Sequence, residues 1–184
     1  MDEIYRIRFA NGSGAEARQR MSQRGVYFAL LPTDVQKLRN AQNDEQLLAV
    51  IQDDIEERWD EPWLFQTDKG WAGIHRCLTD GRLAYDDGEY PLGACVLGGE
   101  QLYEGDDFVV SLLTPQQVGD AASALAPVDK AWLRTRYETI DLTDYGAPLS
   151  DDDFEYLWNC FVGLPEFFKK VAAAGRAMVF TVDF

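Results

Sequence analysis

Residues 71–100 read WAGIHRCLTDGRLAYDDGEYPLGACVLGGE. They contain the chain's single histidine, two of its three cysteines and several glycine-containing turn signals. A helix is predicted at the start of this stretch because large side chains recur at helical spacing: Trp71, Ile74, His75 and Leu78. Thr79-Asp80-Gly81 is predicted to end that helix, with Gly81 suited to a left-handed C-terminal cap. The remainder of the stretch is rich in turns.

Apolar runs on either side of this stretch predict β-strands at Gly25–Leu30, Phe108–Leu113 and Met178–Phe184. A helix with one apolar stripe and an acidic outer side is predicted from Asp44 to about Trp59. Strands at both ends and in the middle, with helices between them, predict an α+β fold. We expect helices packed on a small mixed or antiparallel sheet.

Two helix starts carry capping signals. Thr67-Asp68 is predicted to cap the helix that contains His75. Thr114-Pro115-Gln116-Gln117 combines an N-cap threonine, a proline in the first turn and a glutamine at the capping-box position, so it predicts another helix start.

The chain length of 184 residues is typical of one domain with one full core. Residues 21–184 are interpreted as a single α+β domain. Residues 1–20 are interpreted as an N-terminal extension, comprising a strand plus a linker. The alternation of Tyr5, Ile7 and Phe9 with arginines predicts the strand, and the glycine-rich residues 11–14 interrupt it.

Charge is the strongest compositional signal. The chain has 17 basic and 32 acidic residues, a formal net charge of −15 and a pI near 4.3. Such a surface repels phosphate backbones and anionic lipids, so the sequence argues against binding to DNA, RNA or membranes. The N-terminus lacks the apolar segment of a signal peptide, and the three widely spaced cysteines fit buried thiols in a reducing compartment. We therefore expect a cytoplasmic protein.

The acidic residues concentrate in three segments, 44–61, 86–107 and 141–155. One interpretation is a solubilising face. The other is a surface complementary to a basic protein partner. The candidate residues for this partner surface are Asp53, Glu56, Glu57, Asp106, Asp107 and Asp151.

His75 is the candidate catalytic residue because it is the only imidazole. A ligand site would combine it with Trp71, four residues earlier on the same helix face, and with a carboxylate such as Asp80 or Glu100. The alternative is a hydrogen-bonded core histidine, which is the commoner role of a lone histidine on an apolar stripe. Neither histidine pairs nor cysteine pairs with metal-ligand spacing occur. Carboxylate sites for magnesium or calcium stay open in the acidic segments, but Asp86-Asp87-Gly88 and Asp106-Asp107 do not match the spacing of a calcium loop, so we expect no metal and no cofactor.

Five separated blocks of this sequence resemble the YfbM-like family of small bacterial cytosolic proteins of unknown function. The blocks are W-x-x-I-H-x-x-L-T-D-G at Trp71–Gly81, P-L-x-x-x-V-L-G-G-E at Pro91–Glu100, L-L-T-P-Q-Q-V at Leu112–Val118, G-V-Y-F from Gly25, and F-F-K-K-V-A-A-A-G-R-A at Phe167–Ala177. The resemblance implies a single α+β domain in which Trp71 and His75 are family-typical positions. It implies no established activity.

Three functional hypotheses follow. The leading one is a non-enzymatic protein-binding module whose acidic surface engages a basic partner, for example an immunity-type protein that neutralises a toxin domain. The alternative is a small-ligand-binding protein or weak hydrolase centred on His75. A third is a structural role in oligomerisation through an exposed aromatic patch.

Overall fold

The computed structural model describes residues 24–142 and 145–184. The predicted extension at residues 1–20 lies outside the described residues. A five-stranded antiparallel sheet organises this part of the chain, in the order β2-β1-β5-β4-β3. The strands are β1 Gly25–Leu30, β2 Leu64–Asp68, β3 Glu100–Gln101, β4 Phe108–Leu113 and β5 Ala177–Asp183. The predicted α+β single domain is confirmed, and the sheet is antiparallel rather than mixed.

Helices cover both faces of the sheet. They are α1 Pro32–Asn40, α2 Asp44–Ala49, α3 Trp71–Leu78, α4 Pro115–Leu125, α5 Lys130–Tyr137, α6 Asp151–Phe161 and α7 Leu164–Ala173. Short 3₁₀ turns at Glu61–Trp63 and Leu92–Cys95 connect some of these elements. Because β1 and β4 are buried on both faces, their sequences are continuous apolar runs without alternation.

The larger helical layer is formed by α3 to α7. It packs on the sheet face that carries Tyr27, Met178 and Phe180. Ring contacts continue from the sheet into this layer, since the Tyr27 and Phe168 ring centroids are 5.7 Å apart in an edge-on arrangement. This layer contains the main hydrophobic core of the described residues.

The smaller layer consists of α1, α2 and a π-helical segment, Val50–Glu56, that continues α2. Ile51 and Ile55 are 0% and 2% exposed and pack on the opposite sheet face. The sequence predicted one α-helix from Asp44 to about Trp59, and the structure corrects this. The two isoleucines lie on the buried side in either helical geometry, so their spacing could not distinguish a π-helix from an α-helix.

The sequence predicted the N-cap of α4 correctly and the N-cap of α3 wrongly. Thr114 caps α4 with the predicted capping box, and its hydroxyl accepts from the Gln117 N–H. Thr67-Asp68 does not cap α3, because β2 extends through Asp68 and Gly70 is the N-cap. The Thr67 hydroxyl instead donates to the Gly25 carbonyl at 3.0 Å, so strand pairing occupies the side chain that was expected to cap.

Candidate functional site

The α3 helix carries Trp71 and His75 inside the larger helical layer. All eight of its residues are buried. Trp71 is 1% exposed, and its ring lies 6.1 Å from that of Phe180 in the sheet. His75 is 0% exposed. The two rings therefore belong to the core, and a ligand could reach them only if the core opened.

The His75 ring has one hydrogen-bond partner among the described residues. Its Nε2 lies 2.9 Å from the Ala84 carbonyl oxygen, whereas Nδ1 has no partner in the described part of the chain. Burial lowers the pKa of His75 to about 4, and the bond to Ala84 only partly offsets that effect. The imidazole is therefore neutral at neutral pH and donates from Nε2. This geometry matches the core-histidine interpretation and gives the ligand-site hypothesis no support.

The other two residues of the predicted ligand site lie elsewhere. Asp80 follows α3 with a mostly exposed side chain, 3.9 Å from the Arg136 guanidinium. Glu100 begins β3 and forms a 2.8 Å ion pair with Arg39 of α1, in the smaller layer. Trp71, His75, Asp80 and Glu100 are therefore not gathered around one cavity.

Asp87 organises the loop that closes over His75, a role that the sequence did not reveal. Its carboxylate is fully buried and accepts from the Asp80 and Arg82 backbone N–H groups at 3.1 and 3.0 Å. The Arg82 guanidinium adds a charge-assisted contact at 2.7 Å. Burial raises the pKa of Asp87, but hydrogen bonds from Thr79 and Arg82 outweigh it and hold the pKa below its ordinary value. In the sequence, Asp86-Asp87-Gly88 indicates only a turn.

Three residues of the predicted partner surface lie in or next to the π-helical segment. Asp53 and Glu56 belong to this segment, and Glu57 follows it directly. Asp53 and Glu57 are exposed. Glu56 is half-buried, and its carboxylate accepts from the Thr181 hydroxyl at 3.3 Å. Burial, together with the nearby charge of Asp183, raises the pKa of Glu56. The carboxylate of Glu56, from the π-helical segment, therefore lies near that of Asp183, from β5.

Asp106 and Asp107 lie in the turn between β3 and β4, and both are exposed. The Tyr103 hydroxyl donates to Asp107 Oδ1 at 2.6 Å, and this bond, with the surrounding negative charges, raises the pKa of Tyr103 to about 12. The Glu104 N–H donates to Asp44 Oδ1 at 3.3 Å, so the turn contacts the start of α2. Asp106 and Asp107 consequently extend the acidic surface of the smaller layer.

Asp151 is separate from that surface. It lies in the first turn of α6, in the larger layer on the other face of the sheet. Its carboxylate forms a 2.5 Å ion pair with Arg134 of α5. Asp151 therefore lies in the other helical layer from the predicted residues of the π-helical segment.

A groove of about 720 Å³ runs between the start of α2 and the edge strand β3. We call it the acidic groove. Four carboxylates line it: Asp44, Glu45, Glu100 and Glu104. Three leucines, Leu38, Leu47 and Leu102, also line it and pack into the core of the smaller layer. The lining contains one cation, Arg39, which is already paired with Glu100. Apolar lining beside carboxylates suits a lysine or arginine side chain, whose methylene stem is apolar and whose head is charged.

The cysteines form no disulfide. Burial raises the pKa of Cys77 to about 12 and also raises those of Cys95 and Cys160. These thiols are therefore protonated at neutral pH and are poor nucleophiles. No group of three metal-ligand side chains occurs within residues 24–142 and 145–184. No helix in the same part of the chain combines the length and apolar character needed to cross a membrane.

Comparison with known proteins adds a family. A family model described as a domain of unknown function, DUF1877, matches residues 21–181. The chain belongs to the DUF1877 family. This family match confirms the resemblance to YfbM-like proteins, and a structural match supports it as well.

That match is to the crystal structure of YfbM from Escherichia coli, which is described as a protein of unknown function. The TM-score is 0.60 at 16% sequence identity, covering 86% of this chain and 99% of that chain. At this identity the similarity shows a shared fold and no shared activity. No match was found among curated proteins. For this DUF1877 member, any function must therefore be argued from its own surface.

Proposed function

We propose that this protein is a non-enzymatic binding module whose acidic surface engages a basic protein partner. The observation that carries the proposal is the acidic groove, where Asp44, Glu45, Glu100 and Glu104 stand beside leucine side chains. A solubilising face needs exposed carboxylates but no groove with apolar lining. The groove therefore adds a specific feature to the net charge of −15.

Charge and shape have separate roles in this proposal. The negative field attracts a basic partner over a distance and raises its association rate. Leu102, which is half-buried, offers apolar area to the stem of an inserted side chain, while Glu45 and Glu104 accept its charged head. Both carboxylates are exposed, so the free protein keeps them hydrated.

One concrete form of this function is an immunity-type protein that neutralises a toxin by covering its active site. The small size of the chain and its acidity support this form. A cytosolic site of action belongs to the proposal, and three thiols outside any disulfide support it.

A charge-reversal experiment tests the groove. The probe is a fluorescent oligo-lysine peptide, with oligo-glutamate as the negative control, and binding is measured by anisotropy. Glu45→Lys with Glu104→Lys should weaken oligo-lysine binding about tenfold or more. The matched control, Glu89→Lys with Asp152→Lys, makes the same change in net charge at exposed positions outside the groove and should have a smaller effect. Equal losses in the two variants would assign binding to the general field and refute the groove.

The immunity form has its own test. Its expected partner is a basic, toxin-like protein encoded beside this gene, and co-expression should suppress that protein's toxicity. The groove variant should lose this protection while the control variant keeps it. A gene neighbourhood without such a protein, or protection that survives the groove substitutions, contradicts the immunity form.

A further inference from the structure

A second cavity lies in the larger helical layer, on the other face of the sheet from the acidic groove. It has a volume of about 190 Å³ and lies between the start of α3, the first half of α6 and residues 145–147. We call it the α3–α6 cleft. Its volume is below the roughly 300–1,000 Å³ of pockets that hold drug-sized ligands, so it suits a small metabolite.

The lining of the cleft contains a carboxylate, that of Asp153. Tyr137 and Tyr145 both donate their hydroxyl groups to Asp153 Oδ2, each at 2.7 Å. A Cβ atom added at Gly73 would lie 3.1 Å from the Tyr145 hydroxyl oxygen and 2.4 Å from a Leu157 methyl carbon. Glycine at this position therefore lets α3 approach Tyr145 and Leu157 closely.

The lining also contains a cation. Lys69 is exposed and forms no ion pair with any described residue, Asp153 included. Its backbone N–H donates to the Tyr156 hydroxyl at 3.2 Å, and that hydroxyl donates to Asp68 Oδ2 at 3.0 Å. These two bonds hold the Tyr156 ring as a fixed wall. The exposed ring of Tyr156 offers apolar area in the same lining, beside the buried Tyr145 and Leu157.

We propose that the α3–α6 cleft binds a free α-amino acid. The ammonium group of the ligand lies at Asp153, and its carboxylate lies at Lys69. An apolar side chain packs against the rings of Tyr145 and Tyr156. A simple cation would leave Lys69 facing like charge, and a simple anion would do the same at Asp153, whereas a zwitterion can pair with both side chains. This site is independent of the acidic groove and of the proposed protein partner.

The experiment records amide NMR spectra of the full chain while each of the twenty common L-amino acids is added at millimolar concentration. Binding should shift the signals of Gly70 and Gly73, which line the cleft. The strongest binder is then compared with its amide, which lacks the carboxylate charge, and its N-acetyl form, which lacks the ammonium. Each derivative should bind about tenfold more weakly or worse, because each loses a charge-assisted contact.

Substitutions at Lys69 and Asp153 test which side chains bind the charged groups of the ligand. Lys69→Gln should weaken binding about tenfold, whereas Lys169→Gln, an exposed lysine of α7 outside the cleft, should not. Asp153→Asn should weaken the ammonium contact, and its thermal unfolding curve shows whether the fold survives. Because Lys69 is exposed and unpaired in the described chain, its substitution decides the question even if the Asp153 variant unfolds. The proposal is overturned if no amino acid shifts Gly70 and Gly73, if the N-acetyl form binds equally well, or if Lys69→Gln binds normally.

Discussion

Lowering the pH should destabilise the folded state through His75 before most carboxylates titrate. The folded pKa is about 4, whereas an exposed histidine titrates near roughly 6.5. Because the unfolded chain binds this proton more tightly, the stabilising contribution is complete above about pH 6.5 and is lost as the pH falls towards 4. The loss is about 2 kcal/mol at about pH 5 and approaches about 3.4 kcal/mol at lower pH.

The assay is urea unfolding of the wild type and of His75→Gln at about pH 7.5 and about pH 5. A glutamine amide can still donate to the Ala84 carbonyl, but it carries no titrating group. The wild type should lose about 2 kcal/mol more than the variant between these pH values. Carboxylates titrate in both proteins, so the difference between them isolates the histidine.

The chain's single histidine gives a direct check by NMR, because all imidazole signals belong to residue 75. In the folded protein these signals should stay at the neutral position down to about pH 5. If His75 titrates near roughly 6.5, or if the wild type and the variant lose stability in parallel, the ring is not sealed in the core.

Three further substitutions test other parts of the fold by urea unfolding. Asp87→Asn should lower the free energy of unfolding by about 2 kcal/mol or more, because an ionised acceptor with several donors is lost from a buried site. That deficit should narrow below about pH 4, where the carboxyl of the unfolded chain takes up a proton while the pKa of the folded carboxyl is held lower, and a deficit independent of pH would contradict the assignment. Ile51→Ala should cost about 2–5 kcal/mol, and a cost below about 1 kcal/mol would mean that the smaller layer is not packed. Thr114→Ala should cost about 1 kcal/mol by removing the α4 cap, whereas Gln116→Ala next to it should be nearly neutral.

The sequence predicted elements whose signals are local. β4 was placed at its observed bounds because six consecutive apolar or small residues can be buried on both faces. The start of α4 was predicted because the Thr114 cap, its proline and its glutamine lie within four residues. Gly81 has the predicted positive φ, +93°, although the C-cap of α3 is Thr79 and not Gly81. In each case the cause and the effect lie within one or two turns of chain.

The sequence failed where distant residues decide the structure. β2 was missed because Leu64–Asp68 has no apolar alternation and owes its conformation to pairing with β1. Asp87 looked like an ordinary turn residue because its burial depends on the packing of the whole loop. The acidic groove unites Asp44 with Glu104, which are sixty positions apart. The acidic segments 44–61 and 86–107 were evident in the sequence, but the groove that both of them line required the fold.

In the smaller layer, binding of a partner is coupled to local unfolding. Leu38 and Leu47 line the acidic groove and also belong to the core that Ile51 and Ile55 complete. A partner seated on the groove would therefore hold this layer on the sheet and slow amide hydrogen exchange at Leu47 and Ile51. Conversely, a cavity at Ile51 would weaken partner binding although Ile51 lines no part of the groove and carries no charge.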